Sequence, residues 1–231
     1  MGNMKMYKYI LFMIMFSFCG NSVIYAQNSK GDHNPIGYIY FEDQFDWVSS
    51  EFGGQDYLNG KFANAGPRID GVPQQLKGVL EATGWKTTGK FVYLRLGYLQ
   101  VGRRTDGGDI ISPKLEKRMP EAGLGEYSCA GIEPGKEVNV DVSFDVAIYQ
   151  GVKGNKDLNT ILVEVLNAGK LKDGSTEKEI KVNSWNKWKK IVVPVYGATS
   201  DTQILVRSIQ VKNTGKAARF FLDNFKVVKV K

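Results

Sequence analysis

The clearest pattern in the chain is an alternation of apolar and polar side chains between Val138 and Tyr149. Valine, phenylalanine and isoleucine occupy every second position, and mostly polar side chains lie between them. Because successive side chains of a β-strand point to opposite faces, this period of two predicts a long antiparallel strand with one buried face. Shorter segments of similar composition, separated by turn residues, run from residue 91 to the end. The predicted strands are Tyr38–Glu42, Phe91–Gly97, Ile110–Pro113, Val138–Tyr149, Ile161–Leu166, Glu179–Val182, Trp188–Val195, Gln203–Val211 and Ala218–Val230.

The last segment indicates how the strands are arranged. Phe220 to Val228 is strongly apolar and lies near the carboxyl end, where a chain frays unless it is fixed in a sheet. The first strong strand, Tyr38–Glu42, is its best partner, so we expect the two ends of the domain to be adjacent in one sheet. So many strands in one domain, without a helix of ten or more residues, predict an all-β, two-sheet antiparallel sandwich.

Glycine and proline predict the connections. Their density between Asp46 and Leu76 predicts a long loop, which Trp47 and Phe52 would fix to the core. Asp173-Gly174 predicts a hairpin-type turn. At Gly97 we expect a bend through which the preceding strand continues into Tyr98–Val101.

The first 26 residues have the parts of a secretory signal peptide. Lys5 and Lys8 give a positive start, and the apolar core Tyr9–Phe16 is too short to span a bilayer as a stable helix. The segment ends at the small residue Ala26. Cleavage there predicts a secreted or periplasmic mature chain without a membrane span.

Two further expectations concern the same end of the chain. Cys19 allows a lipid-anchored N-terminus, but the bulky Phe18 before it disfavours that processing. The polar residues 27–35 predict a flexible leader, in which His33 is solvated, and residues 36–231 then form a single domain.

Charge and rare residues exclude several classes of function. The formal net charge is +7, but the basic residues are scattered and not interleaved with aromatic ones, so we expect no nucleic-acid partner. Only Cys129 remains after cleavage, which excludes an internal disulfide and a zinc site built on thiolates. Since His33 lies in the leader, the domain cannot form a Ser-His-Asp triad. The sequence leaves the oligomeric state open.

A set of short segments resembles galactose-binding-like jelly-roll modules, which are common in secreted bacterial carbohydrate-binding proteins. These segments are Tyr40-Phe41-Glu42-Asp43, Gly84-Trp85, Val92–Gly97, Ile110–Leu115, Trp188-Lys189-Lys190, Gly197–Thr202 and Phe221–Phe225. The resemblance implies a jelly-roll form of the sandwich and a glycan or polysaccharide as partner. A shared fold does not by itself confer a shared function.

The resemblance also implies a structural calcium ion joining the first and last strands. Matched by position, Glu42, Asp43 and Asp223 would hold it. Calcium takes six or more oxygen ligands, and carboxylates are among those it prefers. The alternative is that Asp223 accepts hydrogen bonds in a turn while Glu42 is solvated.

Two sets of residues could bind a sugar, since aromatic rings stack on its apolar face while carboxylates and guanidinium groups bind its hydroxyls. A sheet-face site would use the polar sides of two strands, and a loop site would use the ends of the sandwich. The sheet-face set is Tyr93, Arg95, Asp141, Ser143 and Asp145, and the loop set is Trp85, Arg103, Arg104, Asp106 and Asp109. Any solvated sheet also displays alternating polar residues, and Trp85 also suits a core position.

Catalysis is the main alternative to binding. Asp141 and Asp145 share a face but lie roughly 13 Å apart along an extended strand, which exceeds the roughly 5–9.5 Å of paired carboxylates in glycoside hydrolysis. A lyase using tyrosine with arginine or lysine on an acidic polysaccharide is the principal enzymatic alternative, and a structural protein of the cell envelope is a further one. The pattern favours a non-catalytic glycan-binding module.

Overall fold

A computed structural model of the chain describes residues 31–48, 83–88, 92–102, 107–118, 127–151, 153–209 and 215–231. The predicted signal peptide lies outside these residues. All eleven elements of the described ranges are strands. They are β1 (Ile39–Asp43), β2 (Val92–Arg95), β3 (Tyr98–Val101), β4 (Asp109–Ile111), β5 (Tyr127–Ser128), β6 (Val138–Ile148), β7 (Thr160–Leu166), β8 (Glu177–Lys181), β9 (Lys189–Ala198), β10 (Gln203–Ser208) and β11 (Phe220–Lys229). No helix of the described ranges is long and apolar enough to cross a membrane.

The larger sheet has seven strands and is built around the last one. Strand β11 pairs with β6 on one side and with β3 and β1 on the other, and β9, β2 and β5 extend the sheet outwards. Ile39 lies opposite Val228, and Asp43 lies opposite Phe225. The predicted adjacency of the first and last strands is therefore confirmed.

The smaller sheet contains four antiparallel strands in the order β4-β10-β7-β8. Strands β7 and β8 form the predicted hairpin, whose connection includes Asp173 and Gly174. Gly174 has a φ of 83°, in the left-handed region that favours glycine, and the Asp173 carboxylate accepts a hydrogen bond from the Ser175 N–H at 3.0 Å.

The hydrophobic core lies between the two sheets. On β6 the residues that belong to this core are those that alternation predicts, every second residue from Val138 to Ile148, and Val163 and Val206 belong to it from the smaller sheet. The Phe144 and Phe225 rings stack with centroids 5.8 Å apart. The predicted fold class, an antiparallel two-sheet jelly-roll sandwich, is confirmed, because the period-two pattern gives each sheet one apolar face to bury.

The structure corrects the expectation that the second predicted strand continues through Gly97. Strands β2 and β3 are separate, and they pair antiparallel through a two-residue turn at Leu96-Gly97. Gly97 has a φ of 74°. A positive φ at a glycine allows a tight reversal of the chain, which a gentle bend would not need.

The N-terminal leader also differs from its prediction over the part that the structure describes. Asp32 is buried, and its carboxylate pairs with the Lys229 ammonium and accepts a hydrogen bond from the Tyr40 hydroxyl at 2.5 Å. The Lys229 ammonium also donates to the Asn34 carbonyl at 2.6 Å. Residues 31–35 are thus fixed against the last strand. His33 is exposed, as predicted.

Candidate functional site

A groove crosses the outer face of the smaller sheet, on the side away from the core. Its volume is about 480 Å³, and Gly107, Asp109, Leu162, Glu177, Glu179 and Arg207 line it. This size is within the roughly 300–1,000 Å³ that ligand sites occupy.

The strand register brings the groove residues together. Arg207 on β10 lies opposite Asp109 on β4 at one side and opposite Leu162 on β7 at the other, and Leu162 lies opposite Glu179 on β8. These four residues form one row across all four strands. Glu177 lies two residues from Glu179 and therefore on the same side of β8.

Asp109 forms one wall of the groove and is fixed by hydrogen bonds. Its carboxylate accepts bonds from the Thr87 hydroxyl at 3.0 Å, from the Thr88 N–H at 2.7 Å and from the Thr88 hydroxyl. The segment 83–88 is therefore held against β4, where Lys86 also pairs with Ile111. This wall is preorganised, which lowers the entropy lost when a ligand binds.

Arg207, Glu177 and Glu179 are exposed. No ion pair joins any of them to another residue of the described ranges, so their donors and acceptors can meet a ligand. The floor between them is Leu162, which is apolar and nearly buried. The groove thus combines a guanidinium group, two carboxylates and an apolar floor, an arrangement suited to a ligand with many hydroxyl groups, because hydroxyls both donate and accept.

The structure separates the residues of the predicted loop site. Asp109 lines the groove, while Arg103, Arg104 and Asp106 lie outside the described residues. Trp85 is only 2% exposed. It lies in the core rather than on a binding loop, because its ring packs edge-on against Phe225, with centroids 5.1 Å apart, and its indole N–H donates to the Asp43 carboxylate at 2.7 Å.

The five residues of the predicted sheet-face site lie on the outer face of the larger sheet. Asp141 and Asp145 are half-buried there, but Tyr93, Arg95 and Ser143 are buried. Arg95 is 1% exposed. Its guanidinium donates to the Gln100 side-chain oxygen at 2.5 and 3.2 Å and lies 5.9 Å from the Tyr93 ring centroid. Tyr93 and Arg95 therefore cannot contact a ligand in this conformation, although their strand parity was correctly predicted.

An aromatic cluster on the same outer face escaped the sequence reasoning. Tyr98, Ala147 and Phe221 form a small buried cluster of their own, with Tyr149 packed against it. The Trp188 ring meets the Tyr98 ring at 5.5 Å and remains 37% exposed. The alternation of Trp188, Lys190 and Val192 could have revealed the outward side of β9, but no local signal shows that Trp188 reaches Tyr98 from a different strand.

The groove residues Arg207, Glu177 and Glu179 were also missed. Each belongs to a strand whose polar positions look like an ordinary solvated face. Only the lateral order β4-β10-β7-β8 brings them to a common concavity.

The residues predicted to hold calcium do not fit that ion as they are arranged. The Asp43 carboxylate already accepts hydrogen bonds from the Phe45 N–H at 2.8 Å and from the Trp47 and Trp85 indoles. Glu42 pairs with Lys226 at 3.1 Å, on the opposite side of β1. Within the described ranges, no three His, Cys, Asp or Glu residues form a group that could hold a metal. The calcium ion was predicted from the sequence resemblance, and the arrangement of these residues does not favour it.

Two carboxyl groups at this end of the larger sheet, the buried Asp43 and the half-buried Asp223, have raised pKa values. Burial raises the pKa of Asp43 to about 6, despite the N–H donors that favour its charged form. Burial raises the pKa of Asp223 to about 7, and charge repulsion from Asp145, Asp46 and Asp43 adds to this effect. Asp145 lies directly opposite Asp223 on the neighbouring strand.

Cys129 is buried, and its thiol donates to the Glu116 carbonyl at 2.9 Å. Burial raises the pKa of this thiol to about 11. A thiol that stays protonated at neutral pH is a poor nucleophile. Cys129 is therefore a core residue.

The chain matches no protein-family model and no curated protein. Among solved structures, it is similar to the CBM22-1 xylan-binding domain of Paenibacillus barcinonensis Xyn10C, with 17% identity and a TM-score of 0.38 over 86% of this chain and 98% of that domain. For the CBM22-1-CBM22-2 tandem domain of the same Xyn10C, the identity is 16% and the TM-score 0.41, over 87% of this chain and 48% of that one.

A further similar structure is TmCBM61 in complex with beta-1,4-galactotriose, with 10% identity and a TM-score of 0.37 over 65% of this chain and 94% of that one. These are modules of the kind that the sequence resembles. Similarities with identities and TM-scores this low determine neither the ligand nor the activity of this chain.

Proposed function

We propose that the chain is a secreted, non-catalytic module that binds a glycan in the groove of the smaller sheet. The observation that carries the proposal is the row of Asp109, Arg207, Leu162 and Glu179 across a concavity of about 480 Å³. Sugar hydroxyls can donate to the glutamates and accept from the guanidinium, and the apolar floor can contact ring carbons. The sequence resemblance points to the same class of ligand.

The charges of the groove favour a neutral glycan over an acidic one. Three carboxylates, from Asp109, Glu177 and Glu179, face one guanidinium group. A polymer of uronic acids would meet net repulsion there, and like charges placed against each other disfavour a partner. The positive net charge of the whole chain does not change the negative net charge of the groove.

One observation favours an enzymatic alternative, a glycoside hydrolase. Glu177 and Glu179 lie two residues apart on one side of β8, hence with α-carbons roughly 7 Å apart, and paired carboxyl groups in these enzymes are roughly 5–9.5 Å apart. Both glutamates are exposed, however, and hydrolysis needs one carboxyl group in an environment that keeps it protonated. Glycan binding does not need one of the two glutamates to be protonated while the other is charged.

The test is a panel of neutral and acidic polysaccharides, scored for both retention and cleavage. We expect retardation in affinity electrophoresis by at least one neutral polysaccharide, without product formation. Arg207→Ala should weaken that binding about 10- to 100-fold, because hydrogen bonds from a charged group are lost. Lys178→Ala is the matched control, since Lys178 is an exposed charge on the other side of β8.

Three results would contradict the proposal. Release of reducing or unsaturated ends would establish the enzymatic alternative. Equal binding by wild type and Arg207→Ala would place the site elsewhere. No retention by any glycan, together with a stable complex recovered from the cell envelope, would favour a structural role.

A further inference from the structure

One side of strand β9 exposes apolar side chains along its length. The described ranges contain five large hydrophobic residues that are exposed, and three of them lie on or directly before this strand: Trp188 at 37%, Val192 at 51% and Tyr196 at 39%. Pro194 between them is exposed as well. Because side chains alternate along a strand, these four residues point away from the buried side of β9, to the outer side of the larger sheet. We call them the β9 stripe.

Lysines flank the β9 stripe from end to end. They are Lys170, Lys172, Lys178, Lys187, Lys189 and Lys190. Lys170 pairs with Tyr196 through an isolated β-bridge, and Lys172 and Lys178 line a cavity of about 250 Å³ together with Pro194. All six lysines are exposed, and none forms an ion pair with another residue in the part of the chain that the structure describes. The stripe therefore lies within a positively charged border.

Both ends of the stripe are held in place. The Trp188 ring meets the Tyr98 ring edge-to-face, with centroids 5.5 Å apart and planes at 80°. The Tyr196 N–H donates to the Lys170 carbonyl at 2.8 Å, and the Tyr196 carbonyl accepts from the Lys170 N–H at 2.9 Å. Between them, Val192 lies opposite Ser143 in the ladder with β6. Exposed side chains on a backbone fixed in this way lose little conformational entropy when they bind a partner.

The geometry of this edge opposes a protein as the occupant. The main-chain groups of Tyr196 are already bonded to Lys170, and Pro194 has no N–H, so another strand cannot pair along the edge. The stripe measures roughly 27 Å by about 5 Å, far less than the roughly 800 Å² that each partner buries in a stable protein–protein interface. On the neighbouring strand, the half-buried Asp141 and Asp145 occupy the outer side, so the apolar surface does not widen there.

The composition of the edge suits the surface of an anionic lipid bilayer. Tryptophan and tyrosine are enriched where membrane and water meet, because their rings are apolar and carry a polar tip. A lysine can lay its aliphatic stem on an apolar surface while its ammonium group reaches a phosphate. Clustered lysines are attracted to anionic headgroups, whereas the centres of protein–protein interfaces are depleted in lysine.

We propose that the β9 stripe and its six lysines dock the protein onto an anionic lipid surface without spanning the bilayer. The apolar side chains enter the interface, and the ammonium groups bind headgroup phosphates. This inference does not depend on the proposed function. Because the two sheets bury their inner faces against each other, the groove and the stripe lie on opposite outer faces. The groove therefore stays open to a ligand while the stripe is docked.

The first test is co-sedimentation with lipid vesicles. The wild type should sediment with vesicles of phosphatidylcholine and phosphatidylglycerol in equal parts, and much less with phosphatidylcholine alone. Val192→Ser should weaken binding to the mixed vesicles about 3- to 10-fold, because apolar surface no longer enters the interface. Ile36→Ser is the matched control, since Ile36 is 61% exposed and precedes β1, which β11 and β6 separate from β9. Equal binding by wild type and Val192→Ser would overturn the inference.

A second pair of variants tests the lysines. Lys189→Gln/Lys190→Gln should weaken binding to the mixed vesicles about 5- to 30-fold, and raising the salt concentration should weaken the wild type in the same direction. Lys86→Gln/Lys117→Gln removes the same charge from two exposed lysines outside the border, and it should bind nearly as the wild type does. If both double variants weaken equally, binding responds only to net charge, and the assigned surface is wrong.

Tryptophan fluorescence reports contact with lipid directly. Trp188 is the most exposed of the chain's four tryptophans, since Trp47 and Trp85 are buried and Trp185 is half-buried. Mixed vesicles whose phosphatidylcholine carries brominated chains should quench the emission of the wild type, and Trp188→Phe should lose this quenching. Quenching that survives in Trp188→Phe, or that is absent from the wild type, would overturn the inference.

The remaining outcomes identify other occupants. Binding to dextran sulfate as strong as to mixed vesicles, without quenching by brominated lipid, would indicate an acidic polymer instead. A dimer in sedimentation equilibrium that Val192→Ser abolishes, without vesicle binding, would indicate a second copy. Val192→Ser should also keep the wild-type retention on a neutral polysaccharide. If the wild type binds vesicles but no glycan, the proposed function alone fails.

Discussion

At the scale of single residues, the acidic side chains of this protein show how a tertiary environment changes the role of a residue. Asp43 looks like a metal ligand in the sequence, yet its carboxylate is buried among N–H donors from Phe45, Trp47 and Trp85. Such an arrangement satisfies a buried charge without a cation. Asp43 and Trp85 are therefore structural partners, and we expect their loss to affect stability rather than binding.

Trp85→Phe should lower the free energy of unfolding by about 1.5–3 kcal/mol, because a hydrogen bond to a buried charged group is lost. Urea unfolding, followed by circular dichroism, measures this change. Trp188→Phe is the control for removing an indole N–H, since Trp188 is partly exposed and should leave the midpoint nearly unchanged. Equal midpoints for Trp85→Phe and wild type would show that the Asp43 bond contributes nothing.

Asp223 should make stability depend on pH. The folded-state pKa of this carboxyl group is about 7, above the unfolded value near 3.8, so the folded state holds the proton more tightly. Its contribution to stability is therefore full below about pH 4 and is lost as the pH rises through about 7. The melting temperature of Asp223→Asn should fall less than that of wild type between pH 5 and pH 8. If the melting temperatures of Asp223→Asn and wild type fall in parallel as the pH rises, Asp223 is not the source of the pH dependence. Asp141→Asn is the control.

At the scale of elements, strand β11 holds the two ends of the domain together. It pairs with β1, β3 and β6, and its Lys229 reaches beyond the sheet to Asp32 in the leader. Burial would raise the pKa of Asp32, but the hydrogen bonds from Lys229, Tyr40 and Asn34 outweigh it and hold that pKa below the ordinary value. Residues 31–35 of the leader are thus part of the folded unit.

Lys229→Met should destabilise the domain by up to about 3–5 kcal/mol, because it leaves the buried Asp32 carboxylate without its cation. Adding Asp32→Asn should recover part of the loss, since the double variant has no unpaired charge. Guanidinium unfolding of wild type, both single variants and the double variant gives the coupling energy. A double variant no better than Lys229→Met would show that the pair does not act as a unit.

At the scale of the whole molecule, the two sheets give the sandwich two independent outer surfaces. The smaller sheet presents a groove lined by charged groups, and the outer side of the larger sheet carries a small buried aromatic cluster beside which Trp188 is partly exposed. Both surfaces depend on strands that are distant in the sequence. Their separation lets each be altered by substitution without changing the other.

A structural calcium ion can be tested on the intact protein. Since Asp43 is satisfied by N–H donors and Glu42 pairs with Lys226, we expect EDTA to leave the melting temperature unchanged. Scanning fluorimetry with EDTA, with added calcium and with added magnesium measures this. A rise with calcium alone would show that the ion binds, because a ligand of the native state stabilises by mass action.

The sequence by itself determined the fold class, the parity of the strands and the pairing of the two ends. Each follows from local alternation and from the need to bury a strongly apolar terminal segment. It therefore assigned Tyr93 and Arg95 to the correct face. It could not show that both are buried, because burial depends on what packs over a strand.

Only the tertiary structure decided which residues meet. Arg207 and Glu179 line one groove because their strands, β10 and β8, both pair with β7. Trp188 contacts Tyr98 across two intervening strands of the larger sheet. The lateral order of strands in a sheet is set by the packing of the whole core, and no local pattern encodes it. For the same reason Trp85, which looks like a loop residue beside Gly84, lies at the centre of the molecule.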